Sequence, residues 1–244
     1  MQTGYFDVST LFGVWPKRSA DIALPTLLRR LREHNITRAC TLSAAGIFYD
    51  FVEGNNETLA AAAAHPELVP VGTVNPCRWL GCLDEARRLI DQGVKLFRFF
   101  PQYQEWHISQ APFRKLLREV LAPAGVALML PAELGFTTIG DLAADLPYPV
   151  IVESFKYAFL AEAIVVMQEQ SNVYVETHMI NSPNWVELLK AEVGVDRLIF
   201  GSNAPLAYVA AAVAQIDYAP ISEVEKSLIF GGNLSRVLGL PAAA

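Results

Sequence analysis

The stretch Leu83-Asp84-Glu85-Ala86-Arg87-Arg88-Leu89-Ile90-Asp91-Gln92-Gly93-Val94-Lys95-Leu96-Phe97-Arg98-Phe99-Phe100 carries one structural unit in eighteen residues. Leu83–Gln92 reads as a helix that stops at Gly93, a residue suited to a left-handed C-terminal position. Lys95–Phe100 follows at once as a short run dominated by Leu and Phe, the composition of a strand buried on both faces. A helix leading directly into a buried strand is the repeating unit of a parallel sheet.

Outward from this unit the alternation continues in both directions. The expected strands are Tyr5–Ser9, Arg38–Ser43, Leu68–Val74, Lys95–Phe100, Val126–Leu130, Pro149–Glu153, Asn172–Glu176 and Arg197–Gly201. Between them Leu24, Leu27, Leu28 and Leu31 form an apolar stripe at helical spacing. Asn56 is the expected cap of a helix over Glu57–Ala64, and Pro112 opens a helix toward Gly125. Thr138-x-x-Asp141 is the expected start of another. Ala158–Gln170, Asn184–Glu192 and Leu206–Gln215 follow later strands, and Ser222-x-x-Glu225 is a capping box. Eight strands with helical returns predict a single α/β domain over residues 1–244, a (β/α)8 TIM barrel. The alternative is an open doubly wound sheet. It is disfavoured because the first turn, Ser9-Thr10-Leu11-Phe12-Gly13, offers only one glycine.

The totals agree. A chain of 244 residues has the length that such a barrel needs, about 250. Hydrophobic residues make up 52%, enough for a barrel core and a layer of helices around it. The net charge of −6 is spread along the chain, with no basic cluster for nucleic acid. No apolar run is long enough for a membrane span, and Met1–Asp7 has no signal-peptide pattern. The three cysteines, Cys40, Cys77 and Cys82, form no CxxC pair. A reduced, cytoplasmic setting is expected, with no cofactor. The expected partner is a small molecule, and the alanine- and aromatic-rich helices leave a homodimer open.

In a barrel of this kind function sits at the C-terminal ends of the strands. Those positions hold Asp7, Ser9, Ser43, Asn75, Arg98, Gln102, Tyr103, His107, Glu133, Glu153, Ser154, Lys156, Glu176, Thr177, His178, Ser202 and Asn203. Each has a plainer role open to it. Asp7 could cap a turn, Arg98 could pair with a neighbouring carboxylate, and Lys156 could be a solvated loop residue. Together they predict a mouth polar enough for a small polar or anionic ligand. Phe12, Trp15, Phe48, Tyr49, Trp106, Phe136 and Phe155 could floor or lid it.

Several stretches resemble the amidohydrolase-related family, the amidohydrolase 2 branch of that superfamily. Asn56-Glu57-Thr58-Leu59-Ala60 with His65-Pro66-Glu67-Leu68-Val69-Pro70-Val71-Gly72-Thr73-Val74-Asn75-Pro76 is similar to its third strand and the helix before it. Gly93–Arg98 with Phe100-Pro101-Gln102-Tyr103-Gln104 is similar to its fourth strand, and Asn172–Thr177 to its seventh. Asp196-Arg197-Leu198-Ile199-Phe200-Gly201-Ser202-Asn203-Ala204-Pro205 resembles its eighth-strand motif DRxxFGSDxP. Asn233–Leu240 resembles its C-terminal helix. The resemblance implies metal-assisted hydrolysis or decarboxylation. Its metal is held by H-x-H after strand 1, histidines after strands 5 and 6, and an aspartate after strand 8.

Here those positions read Ser9 and Leu11, Pro131, Glu153 or Ser154, and Asn203. The only histidines are His34, His65, His107 and His178, and no two stand at H-x-H spacing. Asn203 is an amide and takes no proton near neutral pH. Three readings follow. One is a metal-independent hydrolase or lyase, for which the family's metal-free lactonase branch is a precedent. Glu153, Glu176, His178 and Arg98 would be its catalytic groups, and Asp7, Ser9, Tyr103, Glu133, Lys156 and Asn203 would bind substrate. The second is an inactive homologue that binds a small ligand or a protein. The third is a new metal site built from Glu133, Glu153, Glu176, His107 and His178.

Overall fold

The computed structural model describes residues 4–241. Met1–Thr3 and the last three residues, which belong to the expected 1–244 span, lie outside them. All eight expected strands form: β1 (Tyr5–Phe12), β2 (Ile36–Ser43), β3 (Leu68–Pro70), β4 (Leu96–Arg98), β5 (Ala127–Pro131), β6 (Val150–Glu153), β7 (Val173–Glu176) and β8 (Leu198–Ile199). They pair in parallel in two arcs, β1-β2-β3 and β4 through β8. A parallel bridge between Gly72 and Phe97 joins β3 to β4. At the other seam Val8 N–H donates to the Phe200 carbonyl at 3.1 Å. The ring is closed, and the chain is a (β/α)8 barrel.

Strand alternation separates two cores. Phe6, Val8, Cys40, Leu42, Leu96, Met129 and Ile151 point inward and fill the barrel. Phe97, Phe99, Leu128, Val150 and Val173 point outward and meet the helices. The same alternation, carried to the strand ends, decides which polar side chains enter the mouth. β1 adds an irregularity. Asp7 pairs with Ala39 but Thr10 pairs with Thr41, so β1 holds one extra residue there. A bulge of this sort re-aims the side chains around it.

Helix starts depart from the local reading in two places. The helix over Phe51–Ala64 begins before Asn56, because Asp50 accepts from Val52 N–H and Glu53 N–H and so caps it. The helix Phe136–Ala144 begins before Thr138. Its free Thr137 N–H donates at 2.7 Å to Glu162, a carboxylate on the next helix, so the cap comes from outside the segment. Asn184 precedes Trp185–Val193 without a side-chain cap. The capping box of Ser222 and Glu225 forms as expected. No helix among the described residues is long and apolar enough to cross a membrane.

Candidate functional site at the barrel mouth

Three buried polar groups gather at the strand ends. The first is an ion pair. β4 ends in Arg98 and β6 in Glu153, and both follow inward-facing residues, Leu96 and Ile151, by two positions. Arg98 Nε donates to Glu153 Oε1 at 2.9 Å, and Nη2 donates to Oε2. This is the two-pronged geometry that suits guanidinium and carboxylate. Both side chains are about 5% exposed or less. Phe100 lies under the guanidinium, 5.0 Å from ring centre to Cζ.

The second group is Glu176 and His178. Glu176 ends β7 and is fully buried. Its Oε1 accepts from His178 N–H at 2.9 Å, and its Oε2 bonds to His178 Nδ1. Burial pushes the Glu176 carboxyl up, but the facing imidazole outweighs burial and holds it below its ordinary range. Burial pushes the His178 imidazole down, and the carboxylate outweighs that too, leaving it raised above its ordinary value. The pair therefore favours carboxylate and imidazolium, with Nδ1–H held by Glu176 and Nε2 left for other work.

The third group ties β1 to β8. Asp7 Oδ1 accepts from Ser9 N–H at 2.9 Å and from Ser202 N–H at 3.1 Å, and its Oδ2 accepts from the Ser202 hydroxyl. Burial pushes the Asp7 carboxyl up to about 6, against the pull of those hydrogen bonds. Ser9 links this group to the second. Its hydroxyl donates to Glu176 Oε1 at 3.4 Å and accepts from Asn203 N–H at 3.1 Å. Gly201 is required at this crossing. A Cβ there would stand 2.0 Å from Glu176 Oε1 and 2.5 Å from Ser9 Oγ.

Aromatic rings from three loops roof the mouth. Trp15 packs edge-on against Phe48 and Tyr103, with ring centres 4.9 and 5.5 Å away. Phe48 and Tyr103 also line an outer cleft of about 580 Å³ with Lys17, Asn75 and Arg78. The other expected lid residues lie elsewhere. Phe12, Trp106, Phe136 and Phe155 pack in the outer core, and Tyr49 is exposed.

The structure thus brings together Asp7, Ser9, Arg98, Glu153, Glu176 and His178, with Asn203 touching through its backbone and Tyr103 above. It does not bring Glu133 and Lys156 into this cluster. They pair with each other at 3.3 Å on the exposed rim. His107 is exposed and bonds to Ser109. The five residues of the third reading therefore do not converge. Among the described residues no group of three or more His, Cys, Asp or Glu is placed to hold a metal ion.

The donor set at the inherited positions also does not fit a divalent metal. Ser9, Leu11, Pro131 and Asn203 supply one neutral hydroxyl and one neutral amide oxygen between them. Glu153 is already chelated by Arg98, whose fixed positive charge opposes a second cation beside it. Sequence reading missed Thr73, which follows the Gly72 bridge beside Arg98 and is buried at 1% exposure. A single threonine just past a strand carries no pattern that would mark it.

Comparisons with known proteins agree with this architecture. A family model described as Amidohydrolase matches residues 38–240. No curated protein matches the chain. Among solved structures, 5-carboxyvanillate decarboxylase from Sphingomonas paucimobilis superposes with a TM-score of 0.77 at 14% identity, covering 98% of this chain and 100% of that one. A TIM-barrel protein from Bordetella bronchiseptica gives 0.75 at 16% identity, covering 97% and 98%. Dihydroxybenzoic acid decarboxylase from Polaromonas, solved with bound manganese and 2-nitroresorcinol, gives 0.74 at 13% identity, covering 97% of each chain. At such identities the likeness shows the fold.

Proposed function

The chain belongs to the amidohydrolase family, and from that premise we propose that it is a hydrolase or lyase acting on a small carboxylate-bearing molecule without a divalent metal. The observation that carries the reading is the buried Glu176–His178 pair standing beside the buried Arg98–Glu153 pair at the strand ends. Two of its structural neighbours are named as decarboxylases of carboxylated aromatic acids, which supports a carboxylate substrate and a lyase.

The chemistry follows from charge placement. Glu176 fixes the His178 ring and favours its protonated form, so at rest Nε2–H is a proton donor. In a decarboxylation the bond to the carboxylate carbon breaks and its electron pair stays on the substrate. CO2 leaves, and the Nε2 proton goes to the substrate carbon that had carried it. In a hydrolysis water adds to the carbonyl carbon, the bond to the leaving oxygen breaks, that oxygen takes the Nε2 proton, and the proton released by the water returns to Nε2. Arg98, held rigid by Glu153, offers positive charge to the substrate carboxylate or to a developing oxyanion. Burial of all four side chains keeps these interactions in a low-dielectric, water-poor site. Asp7 and Ser9 are fully buried and engaged with neighbours, so in this reading they position Glu176 and do not touch substrate.

A panel of lactones, β-keto acids and hydroxybenzoates, assayed with chelator present, tests the proposal. Turnover should survive chelation. His178→Ala should lower it by about 10²–10⁴-fold, the usual worth of a general acid–base group. The proton-donating step should slow as pH rises through the raised imidazole value. Activity that disappears with chelator and returns with a metal would sink the metal-free reading. A second reading, a binding protein without turnover, draws on one observation: the Trp15, Phe48 and Tyr103 roof lies over pairs that are already neutralised. Ligand-dependent thermal stabilisation with no product from any of the panel would favour it.

A further inference from the structure

Two unsatisfied donors stand side by side at the mouth. Arg98 Nη1 is buried and has no hydrogen-bond partner, and so is Thr73 Oγ1. The residues are neighbours by register. Gly72 bridges Phe97, and Arg98 N–H donates to the Gly72 carbonyl at 3.0 Å, so Thr73 and Arg98 are the next positions on adjoining strand ends. Val71 and Leu96, two residues earlier on each chain segment, both belong to the barrel interior, and alternation gives Thr73 and Arg98 the same side. Among the described residues the other buried side chains without a partner, Thr41, Tyr148 and Ser235, sit singly on separate segments.

The guanidinium has one free edge. Glu153 takes Nε and Nη2, and Phe100 covers a face. Nη1 is left without a partner on the edge away from Glu153. Thr73 is held for the same task from behind. Asn55 accepts from Thr73 N–H at 3.2 Å and donates to the Thr73 carbonyl at 2.9 Å, which clamps its backbone and leaves its hydroxyl free. Leaving a buried donor unmet costs folding free energy, more for a charged group. Two such costs on adjoining positions are offset when a ligand supplies the acceptor.

We infer that Arg98 Nη1 and Thr73 Oγ1 together form the seat of a single carboxylate group, one oxygen on each. Arg98 is cationic and the Thr73 hydroxyl can donate, so an anion with two acceptor oxygens is held by charge as well as by hydrogen bonds, an attraction that a neutral amide lacks. The assignment rests on the proposed function's reading of the mouth as a carboxylate site, and it names the second residue of that site.

Formate, the smallest carboxylate, is the probe. Sodium formate should raise the thermal midpoint of the full chain saturably, while equal sodium chloride and equal formamide should not. Thr73→Val should weaken formate binding by about tenfold, the worth of one hydrogen bond to a charged group. Thr73→Ser, which keeps the hydroxyl, should stay near the parent. A crystal grown in formate should show it against both atoms. A midpoint that rises equally with chloride, or a formate affinity unchanged in Thr73→Val, would overturn the assignment. Should Thr73→Val fail to fold, the crystal and the Thr73→Ser titration decide the matter. The two ideas fail separately. Formate binding without any turnover keeps the seat and removes the enzyme. Turnover that formate does not inhibit keeps the enzyme and removes the seat.

Discussion

Two arginine–glutamate pairs in this molecule share one two-pronged geometry and differ in what they leave over. Arg88 and Glu85 pair between the helices outside the barrel, and Arg98 and Glu153 pair inside its mouth. The outer pair is complete. Glu85 accepts from Arg88 Nε and Nη2 at 2.7 Å each and from Asn55 at 2.8 Å. Arg88 Nη1 reaches Gln92, Nη2 also reaches Asn56, and the side chain is 35% exposed. The inner pair is sealed and incomplete, with Nη1 unmet. A satisfied network holds structure in place, whereas a sealed network with a donor to spare is organised around something it does not contain. The two are joined through Asn55, which serves Glu85 with one hand and clamps Thr73 with the other.

The comparison is most easily broken at Arg98. Arg98→Met strands Glu153 as a buried charge and should cost about 3–5 kcal/mol in urea unfolding, most of it recovered in the double variant Arg98→Met, Glu153→Leu. If the double variant stays as unstable as the single one, the loss is packing and not charge.

Asp7 sharpens the picture of the sealed mouth. Its carboxyl sits near 6 in the fold against an ordinary 3.8, so the folded protein holds this proton more tightly than the unfolded chain does. That contribution is whole below about pH 4 and is lost as pH rises through about 6. Asp7→Asn should therefore be more stable than the parent above pH 6, by about 1–3 kcal/mol at ~1.4 kcal/mol per pKa unit, with the two curves differing in slope only between about pH 4 and pH 6. Parallel stability curves across pH 4–7 would mean that Asp7 is not carrying a strained charge.

The smallest effect belongs to the outer pair. Arg88→Met should cost less, about 1–2 kcal/mol, because Arg88 itself is partly exposed and Asn55 still donates to the buried Glu85. A loss equal to that of Arg98→Met would erase the distinction between the pairs.

Much of the fold was legible along the chain. All eight strands appear where short apolar runs stand, because a strand buried on both faces writes its burial into every residue. Helix starts were less legible where the cap lay off the local pattern. Asp50 sits a full turn before Asn56, and Glu162 caps Thr137 from another helix. At the site, Arg98, Glu153, Glu176 and His178 could be picked out because they stand at the C-terminal ends of the predicted strands, where a barrel carries its site. Glu133 and Lys156 share that chemistry but sit one step out on the rim, a distinction set by loop path. Thr73 could not be picked out at all.

What the amino-acid order determined by itself is the barrel and the identity of the residues at its strand ends, Ser9, Pro131 and Asn203 among them. What the tertiary structure decided is the pairing. Ser9 meets Glu176 across 167 residues, and Ser202 meets Asp7 across 195. Such partners are chosen by barrel closure and strand register, which are global properties that no local pattern encodes. The same closure strips water from Arg98 and Thr73 together, and only then does an unmet hydrogen bond become a site.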